Sequence, residues 1–546
     1  MTTQLSITSR ESRIFVQKVA RSIVEVQPNI NNTADIVVLL ECLGYRVETL
    51  MQHGFADFYA LAKHMYNFIG MYEIQEKNKD LFLKSFTLEM PRISKRIAEG
   101  VGLIFPWLGS LALLFITGVS LWMAMGFPTS TTTAFVAGVF LGVFVTEGTL
   151  QVFNRLFLFY HEQGNIGEVK RLIRRSYCLI GVVLLITIGA IFVMGQMEKI
   201  PLHLVGLTMI STITVSLHRA SYMIIYALKK VTTLIISYSS AFAILLSTYY
   251  FGQPIIHSGI TRYFTGLVIA FAVLSAFSLY QHYKLTKSIT ETLTGDKPHF
   301  YNPMSRTDKT LKSRFRVQLW ETIPYSLYST FYVITMFGDR ILSWIHNPVV
   351  LQSGYGLPMA FNSVYHGGAD LAWIVLLPAS LIQYVMMAPI FIQMNNISIN
   401  IKISESKTID VFIINTYRKI LFVSMAVSVL TAVILNLVAP PMMTHAGATQ
   451  ISLQILRISS VANVFMALFT VNSLFMMWIN KIKLLTVLVM VSASIVVIFG
   501  MATVNTGLQN LSIGYLIGAA FAGILSTIYT SKTIKRASSI VFSRII

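Results

Sequence analysis

TEGTLQVFNRLFLFYHEQGNIGEVKRLIRRSYCLIGVVL, residues 146–184, is an apolar run that stops, a basic cluster, and a second apolar run. The cluster holds Arg155, Lys170, Arg171, Arg174 and Arg175. A helix needs about 20 mainly apolar residues to cross a bilayer. Lysine and arginine accumulate in the short loops that stay on the cytosolic side. The stretch therefore reads as two crossings joined by a cytosolic loop.

Working outward, the same unit recurs along the chain. The apolar runs lie near 101–125, 131–153, 177–197, 202–226, 231–251, 260–282, 317–338, 369–394, 419–438, 453–478, 484–504 and 511–530. Basic residues fall in every second gap. Arg92, Lys95 and Arg96 precede the first run, and Lys229 and Lys230 follow the fourth. Eight basic residues stand between Lys284 and Arg316, followed further on by Lys402, Lys407, Arg418 and Lys419. Lys481 and Lys483 come next, then Lys532, Lys535, Arg536 and Arg544. The alternate gaps hold only Lys199, Arg262 and Arg340. The expected fold is an all-α integral membrane protein with about twelve transmembrane helices and both termini cytosolic.

Composition agrees. Hydrophobic residues make up 54% of the chain and charged residues 12%, against about a quarter charged in soluble proteins. The net charge of +19 suggests a nucleic-acid partner at first sight, but the loop asymmetry accounts for it, so none is expected. Cys42 and Cys178 offer neither a disulfide framework nor metal-ligand spacing.

The polar, basic stretch 283–316 divides the chain into two six-helix lobes, 96–282 and 317–546, the second including a basic tail. Residues 1–95 form an expected cytosolic helical extension. In it Thr33 can cap a helix carrying Ile36, Leu39, Leu40 and Leu43, and Phe58, Leu61, Ala62, Met65 and Ile69 repeat at helical spacing. Gly44 and Gly54 separate the helices. A small bundle, helices lying on the membrane surface, and a face for cytosolic partners all fit this pattern.

No P-loop, HExxH, paired CxxC or dinucleotide-binding glycine motif occurs. The loops expected outside are too short to build much of a catalytic site. No enzyme, metal or cofactor is expected.

Ionisable residues inside a membrane are costly and so mark candidate function. Glu147 lies roughly 12 Å from the cytosolic end of its run, and His218 and Arg219 roughly 15 Å from theirs, at 1.5 Å per residue. Glu147 and Arg219 are expected to approach each other around a polar cavity, or else to form a structural ion pair. Arg219 snorkelling to headgroups is a further reading. Glu321 and Arg457 are further lumen candidates; Glu321 reads first as an interfacial anchor, and Arg457 faces either the lumen or the headgroups. Asp339, Arg340 and Asp370 cluster at the external face as candidates for a gate or as ordinary interfacial charges. Pro324 and Pro378 are candidate bending points.

Residues 146–184 resemble the connection between the second and third helices of the multidrug/oligosaccharidyl-lipid/polysaccharide (MOP) flippase superfamily. The resemblance is carried by Gly164, Asn165, Glu168, Lys170, Arg171, Arg174 and Arg175. FGDRILSWI at 337–345 and ADLAWIVLLPASLIQYVM at 369–386 resemble the Pel-type exopolysaccharide exporter membrane subunit (PelG-like). The chain departs from that family in its long N-terminal extension and in the mostly neutral and basic MNNISINIKISESK after the eighth run.

The resemblance implies export of exopolysaccharide, or of its lipid-linked precursor, across the cytoplasmic membrane, with biofilm formation as the setting. It also implies a cytosolic glycosyltransferase and regulatory membrane subunits as partners. Rocking of the lobes is implied, with the first, second, seventh and eighth helices lining the cavity. A lipid-linked oligosaccharide flippase, a cation-coupled drug exporter of the same fold, and a membrane polysaccharide polymerase or ligase are the alternatives.

Overall fold

The computed structural model describes residues 15–16, 19, 22–23, 33–45, 47–69, 90–122, 127–162, 166–228, 230–294, 315–345, 359–386, 406–445 and 448–535. Most of the expected inter-lobe loop, the centre of the long external loop and the tail beyond residue 535 lie outside these residues.

Near the N-terminus, α1 (Thr33–Cys42), α2 (Val47–Gln52) and α3 (Phe58–Ile69) form a small bundle. Ile36, Leu40, Leu50, Leu61, Ala62 and Met65 make its core, together with Val16, Val19 and Ile23. Gly44 and Gly54 take φ of +80° and +86°, a region open to glycine at little steric cost, and each ends the helix before it.

The membrane unit is built from α4 (Met90–Thr117), α5 (Thr129–Glu162), α6 (Ile166–Met197), α7 (Leu202–Ala227), α8 (Val231–Phe251) and α9 (Gly259–Thr294), followed by α10 (Phe315–Ile345). Next come α11 (Ser363–Ala369), a 3₁₀ turn (Leu371–Val375) and a helix over 376–386. The unit closes with α12 (Ser406–His445), α13 (Gln450–Trp478), α14 (Ile482–Thr503) and α15 (Leu508–Ile534). Among the described residues, ten helical segments are long and apolar enough to cross a membrane. The two that fall short in hydropathy, α7 and α10, carry Arg219 and Asp339–Arg340. They complete the twelve-helix, two-lobe fold.

Between helices in lipid, the apolar effect gives little drive. Close approach through small residues and hydroxyl-to-carbonyl bonds replaces it. Gly138 of α5 lies so near α7 that a Cβ there would sit 2.5 Å from the Thr208 carbonyl oxygen. Beside it the Thr208 hydroxyl donates to the Ala134 carbonyl at 3.0 Å. The second lobe repeats the device between segment eight (363–386) and α13. A Cβ on Gly368 would sit 2.3 Å from the Ser452 carbonyl, and the Ser452 hydroxyl donates to the Val364 carbonyl at 2.8 Å. In the first lobe α7 and α8 both pack on α9, and in the second α13 and α14 both pack on α15. The six-helix repeat, invisible residue by residue, is plain in the packing.

The lobes meet along two antiparallel seams. Along α5 and α10, Phe140 stacks on Trp344 with ring centroids 5.4 Å apart, and the Arg155 guanidinium lies 5.4 Å from the Tyr325 ring. Along α4 and segment eight, Trp107 meets Trp373 at 5.6 Å. Gly100 lets Leu381 and Tyr384 come close.

The first helix differs from its expected span of 101–125. It starts at Met90 and stops at Thr117, because Gly118 takes φ of +73° and its N–H bonds the Leu114 carbonyl at 2.8 Å, a glycine C-cap.

Candidate functional site

Between the seams lies a cavity of about 670 Å³. Its wall comes from α4 and the residues after it (Trp107, Ser110, Trp122), α5 (Phe140, Glu147, Asn154), α7 (His218, Arg219, Tyr222) and α8 (Tyr238). The second lobe adds Tyr332 and Phe337 of α10, and His366, Asp370 and Trp373 of segment eight. The expected lining from the first, second, seventh and eighth helices is thus joined by the fourth and fifth.

Glu147 and Arg219 meet on this wall. Arg219 Nη2 donates to Glu147 Oε2 at 2.5 Å, the side chains being 13% (Glu147) and 23% (Arg219) exposed. Arg219 Nη1 also donates to the Val143 carbonyl at 3.1 Å. Glu147 accepts further bonds from Gln151 at 3.3 Å and from the Ser329 hydroxyl of α10. The Ser329 bond crosses between lobes, so the carboxylate belongs to an ion pair in one lobe and a hydrogen bond to the other.

His218 is buried, and its Nε2 lies 2.7 Å from the Tyr238 hydroxyl. The ring packs against Tyr222 at 4.6 Å and Phe271 at 5.0 Å.

Asp339, Arg340 and Asp370 form a second charged group. Arg340 is fully buried. Its Nε donates to Asp370 at 2.7 Å. Its Nη1 donates to Asp339 at 3.0 Å and to the Met336 carbonyl at 2.9 Å. Nη2 donates to the Ala369 carbonyl at 2.7 Å, and the guanidinium lies 4.5 Å from the Trp373 ring centroid. The Tyr365 hydroxyl completes Asp339 at 2.6 Å.

His366 Nδ1 faces Asp370 at 2.8 Å, while Trp344 Nε1–H donates to His366 Nε2 at 2.8 Å. An indole nitrogen can only donate, so Nε2 accepts and the His366 proton sits on Nδ1, toward Asp370. All three charges belong to the second lobe. The three expected gate residues thus meet between α10 and segment eight within one lobe, and of the three only Asp370 lines the cavity.

Glu321 and Arg457 are exposed and absent from the cavity wall. Pro324 lies within an uninterrupted α10, its carbonyl taken by the Thr486 hydroxyl at 2.8 Å. Pro378 follows the 3₁₀ turn Leu371–Val375. Its ring cannot donate to the Ile374 carbonyl four residues back and crowds it, which suits a tightened turn there. Pro106 of α4 and the pair Pro440–Pro441 of α12 also lie inside helices, and Pro106 lines the cavity. Among the described residues no group of three or more His, Cys, Asp and Glu side chains could hold a metal ion.

The neutral members of the site, chiefly Ser329, Tyr222, Tyr238, Trp122 and His366, are unmarked by charge in an apolar sequence. One signal was present: His366 stands four residues before Asp370, the spacing that pairs side chains on a helix.

Two lobes of six helices around a central cavity define a class of multi-pass membrane fold, and solved structures share it. An outward-facing multidrug resistance MATE family transporter of the MOP superfamily superposes with a TM-score of 0.53 at 16% identity, covering 81% of this chain and 95% of that one. An inward-facing one gives 0.51 at 15%, covering 80% and 97%. A MATE crystal structure in the straight conformation gives 0.52 at 15%, covering 81% and 95%. The chain has the fold of MATE transporters. No protein-family model matches its sequence, and no curated protein matches it.

Proposed function

We propose that this chain is a membrane transporter that exposes its central cavity alternately to the two faces of the membrane. The observation that carries the proposal is the cavity of about 670 Å³ lined by both lobes, whose packing is matched. Proteins with this fold have been solved in inward-facing and outward-facing conformations. Two lobes that meet along seams of aromatic rings can rock about a fixed site. The cargo in this reading is an exopolysaccharide chain or its lipid-linked precursor, exported across the cytoplasmic membrane. Support for it comes from the resemblance of residues 146–184, 337–345 and 369–386 and from an aromatic wall suited to sugar faces. A cytosolic glycosyltransferase and regulatory membrane subunits belong to the same proposal, as do cytosolic termini.

A drug or organic-cation exporter is the second reading. It is favoured by the carboxylates of Glu147 and Asp370 on the wall and by the multidrug resistance transporters that share the fold.

The test uses the chain's two cysteines, Cys42 and Cys178. With both replaced by serine, Val143→Cys and Val333→Cys each place one thiol on the cavity wall. A membrane-impermeant maleimide should reach these thiols from either face of oriented vesicles, and trapping one face open should protect against label from the other. Labelling from one face only, under all conditions, would defeat alternating access. Secretion of polymer and accumulation of ethidium in cells with and without the protein then separate the two cargo readings.

A further inference from the structure

The cavity wall carries polar atoms that nothing in the protein satisfies. Ser110 Oγ, Trp122 Nε1, Asn154 Oδ1, His218 Nδ1 and Trp373 Nε1 are buried atoms without a hydrogen-bond partner, and all five residues line this one cavity. Ser110 and His218 are each 2% exposed. Buried polar atoms are nearly always paired, so orphans gathered in residues that line one space point to a ligand or water that pairs them when the side chains turn to it.

Two of the five stand together on a fixed frame. The Trp122 and His218 rings have centroids 6.4 Å apart. Phe271 packs against both, 5.5 Å from Trp122 and 5.0 Å from His218. The Tyr238 hydroxyl holds His218 by Nε2 at 2.7 Å, which leaves Nδ1 as the unused nitrogen. The indole N–H can only donate, whereas Nδ1 donates or accepts according to the tautomer that Tyr238 selects. A serine hydroxyl does both. This set suits hydroxyl groups, which also donate and accept.

The charges on the wall point the same way. Glu147 is paired with Arg219, and Asp370 is held by Arg340 and His366. A charged cargo entering here meets charges that already have partners, and a desolvated charge without a counter-charge is costly. An uncharged polyhydroxylated ring can pair these donors and acceptors with small side-chain turns, and it meets aromatic faces for its C–H side. The volume lies inside the range of small-molecule pockets, about 300–1,000 Å³.

We infer that the first-lobe side of the cavity is a subsite for a neutral sugar ring, with Trp122 Nε1–H, His218 Nδ1 and the Ser110 hydroxyl taking its hydroxyls. The inference rests on the transporter reading above and narrows its cargo to an uncharged saccharide segment.

The experiment is binding to the purified full-length chain in nanodiscs, with three sets of probes: a panel of neutral oligosaccharides, a panel of uronate oligosaccharides, and ethidium. Trp122→Phe and Ser110→Ala are mild changes that remove one polar atom each, and His218→Phe keeps a ring in place. Size-exclusion profiles check that each variant folds. The expected result is saturable binding of at least one neutral oligosaccharide, weakened roughly two- to tenfold by each substitution, the worth of one neutral hydrogen bond.

The inference is overturned if no neutral oligosaccharide binds. It is overturned equally if binding ignores all three substitutions, which leaves the orphan atoms to water, or if uronates or ethidium are the probes that depend on them. Loss of the subsite with two-sided maleimide labelling intact refutes the sugar alone. Sugar binding without two-sided labelling refutes the transport reading and leaves the subsite.

Discussion

Replacing Arg340 with methionine separates a fastening from a gate. The guanidinium is fully buried and bonds two carboxylates and two backbone carbonyls. Methionine fills much of the alkyl volume but leaves Asp339, itself 1% exposed, with Tyr365 as its remaining side-chain donor, and Asp370 with His366. Removing one member of a buried ion pair costs about 3–5 kcal/mol, because the partner is left uncompensated. Arg340→Met is therefore expected to lower the unfolding free energy by about 3–5 kcal/mol in a detergent-denaturation titration of the purified protein. Arg340→Lys keeps the charge but offers one compact donor group that cannot span both carboxylates and the Ala369 carbonyl, so it should fall between the two. The triple variant Arg340→Met, Asp339→Asn, Asp370→Asn removes the charges together and should recover most of the loss. The reasoning fails if Arg340→Met unfolds within about 1 kcal/mol of the parent. It also fails if stability holds while only transport is lost, since that is the behaviour of a gate.

Glu147→Gln leaves Arg219 without its counter-charge and weakens the acceptor for Ser329, so cargo transport in vesicles should drop at least tenfold. Adding Arg219→Met should restore protein yield without restoring transport. Gly138→Leu and Gly368→Leu drive a side chain into the neighbouring helix backbone, and each should cost about 1–3 kcal/mol or more in the same titration. Gly181→Leu and Gly189→Leu meet open space and should be silent. In a cysteine-free background, Glu198→Cys should react with an impermeant maleimide only from outside and Lys481→Cys only from inside. Reaction of Glu198→Cys from inside and Lys481→Cys from outside would reverse the charge-derived topology, and reaction of both from one face would refute it.

The basic clusters and apolar runs made the helix order legible, and α7 and α8 end within a residue of their expected spans. Hydropathy misjudged ends where helices run on through polar ground. The third helix begins at Ile166 rather than 177, taking the basic connector with it, and α12 begins at Ser406 rather than 419. In α10 the span was expected to stop before Asp339, but those charges are satisfied inside the protein, so the helix continues to Ile345. Charge also located Glu147, Arg219 and His218, because a buried ionisable group is conspicuous in an apolar sequence. The aromatic wall was not legible. Tyrosine and tryptophan suit lipid interfaces, helix cores and cavities alike, and only packing decides among them.

The two kinds of helix contact divide the molecule by what they permit. Where α5 meets α7 and segment eight meets α13, glycine brings backbone against backbone and hydroxyls stitch the pair. Such contacts have one register and break if they slide. Where lobe meets lobe, Phe140 stacks flat on Trp344 and Trp107 lies tilted against Trp373, and ring faces can shift sideways while staying covered. If the lobes rock as proposed, contacts of the first kind hold a lobe together, and ring contacts of the second kind let the seam slide. Under the transport proposal, replacing the Phe140–Trp344 pair by a contact of fixed register would stiffen the seam, at a place that also forms part of the cavity wall.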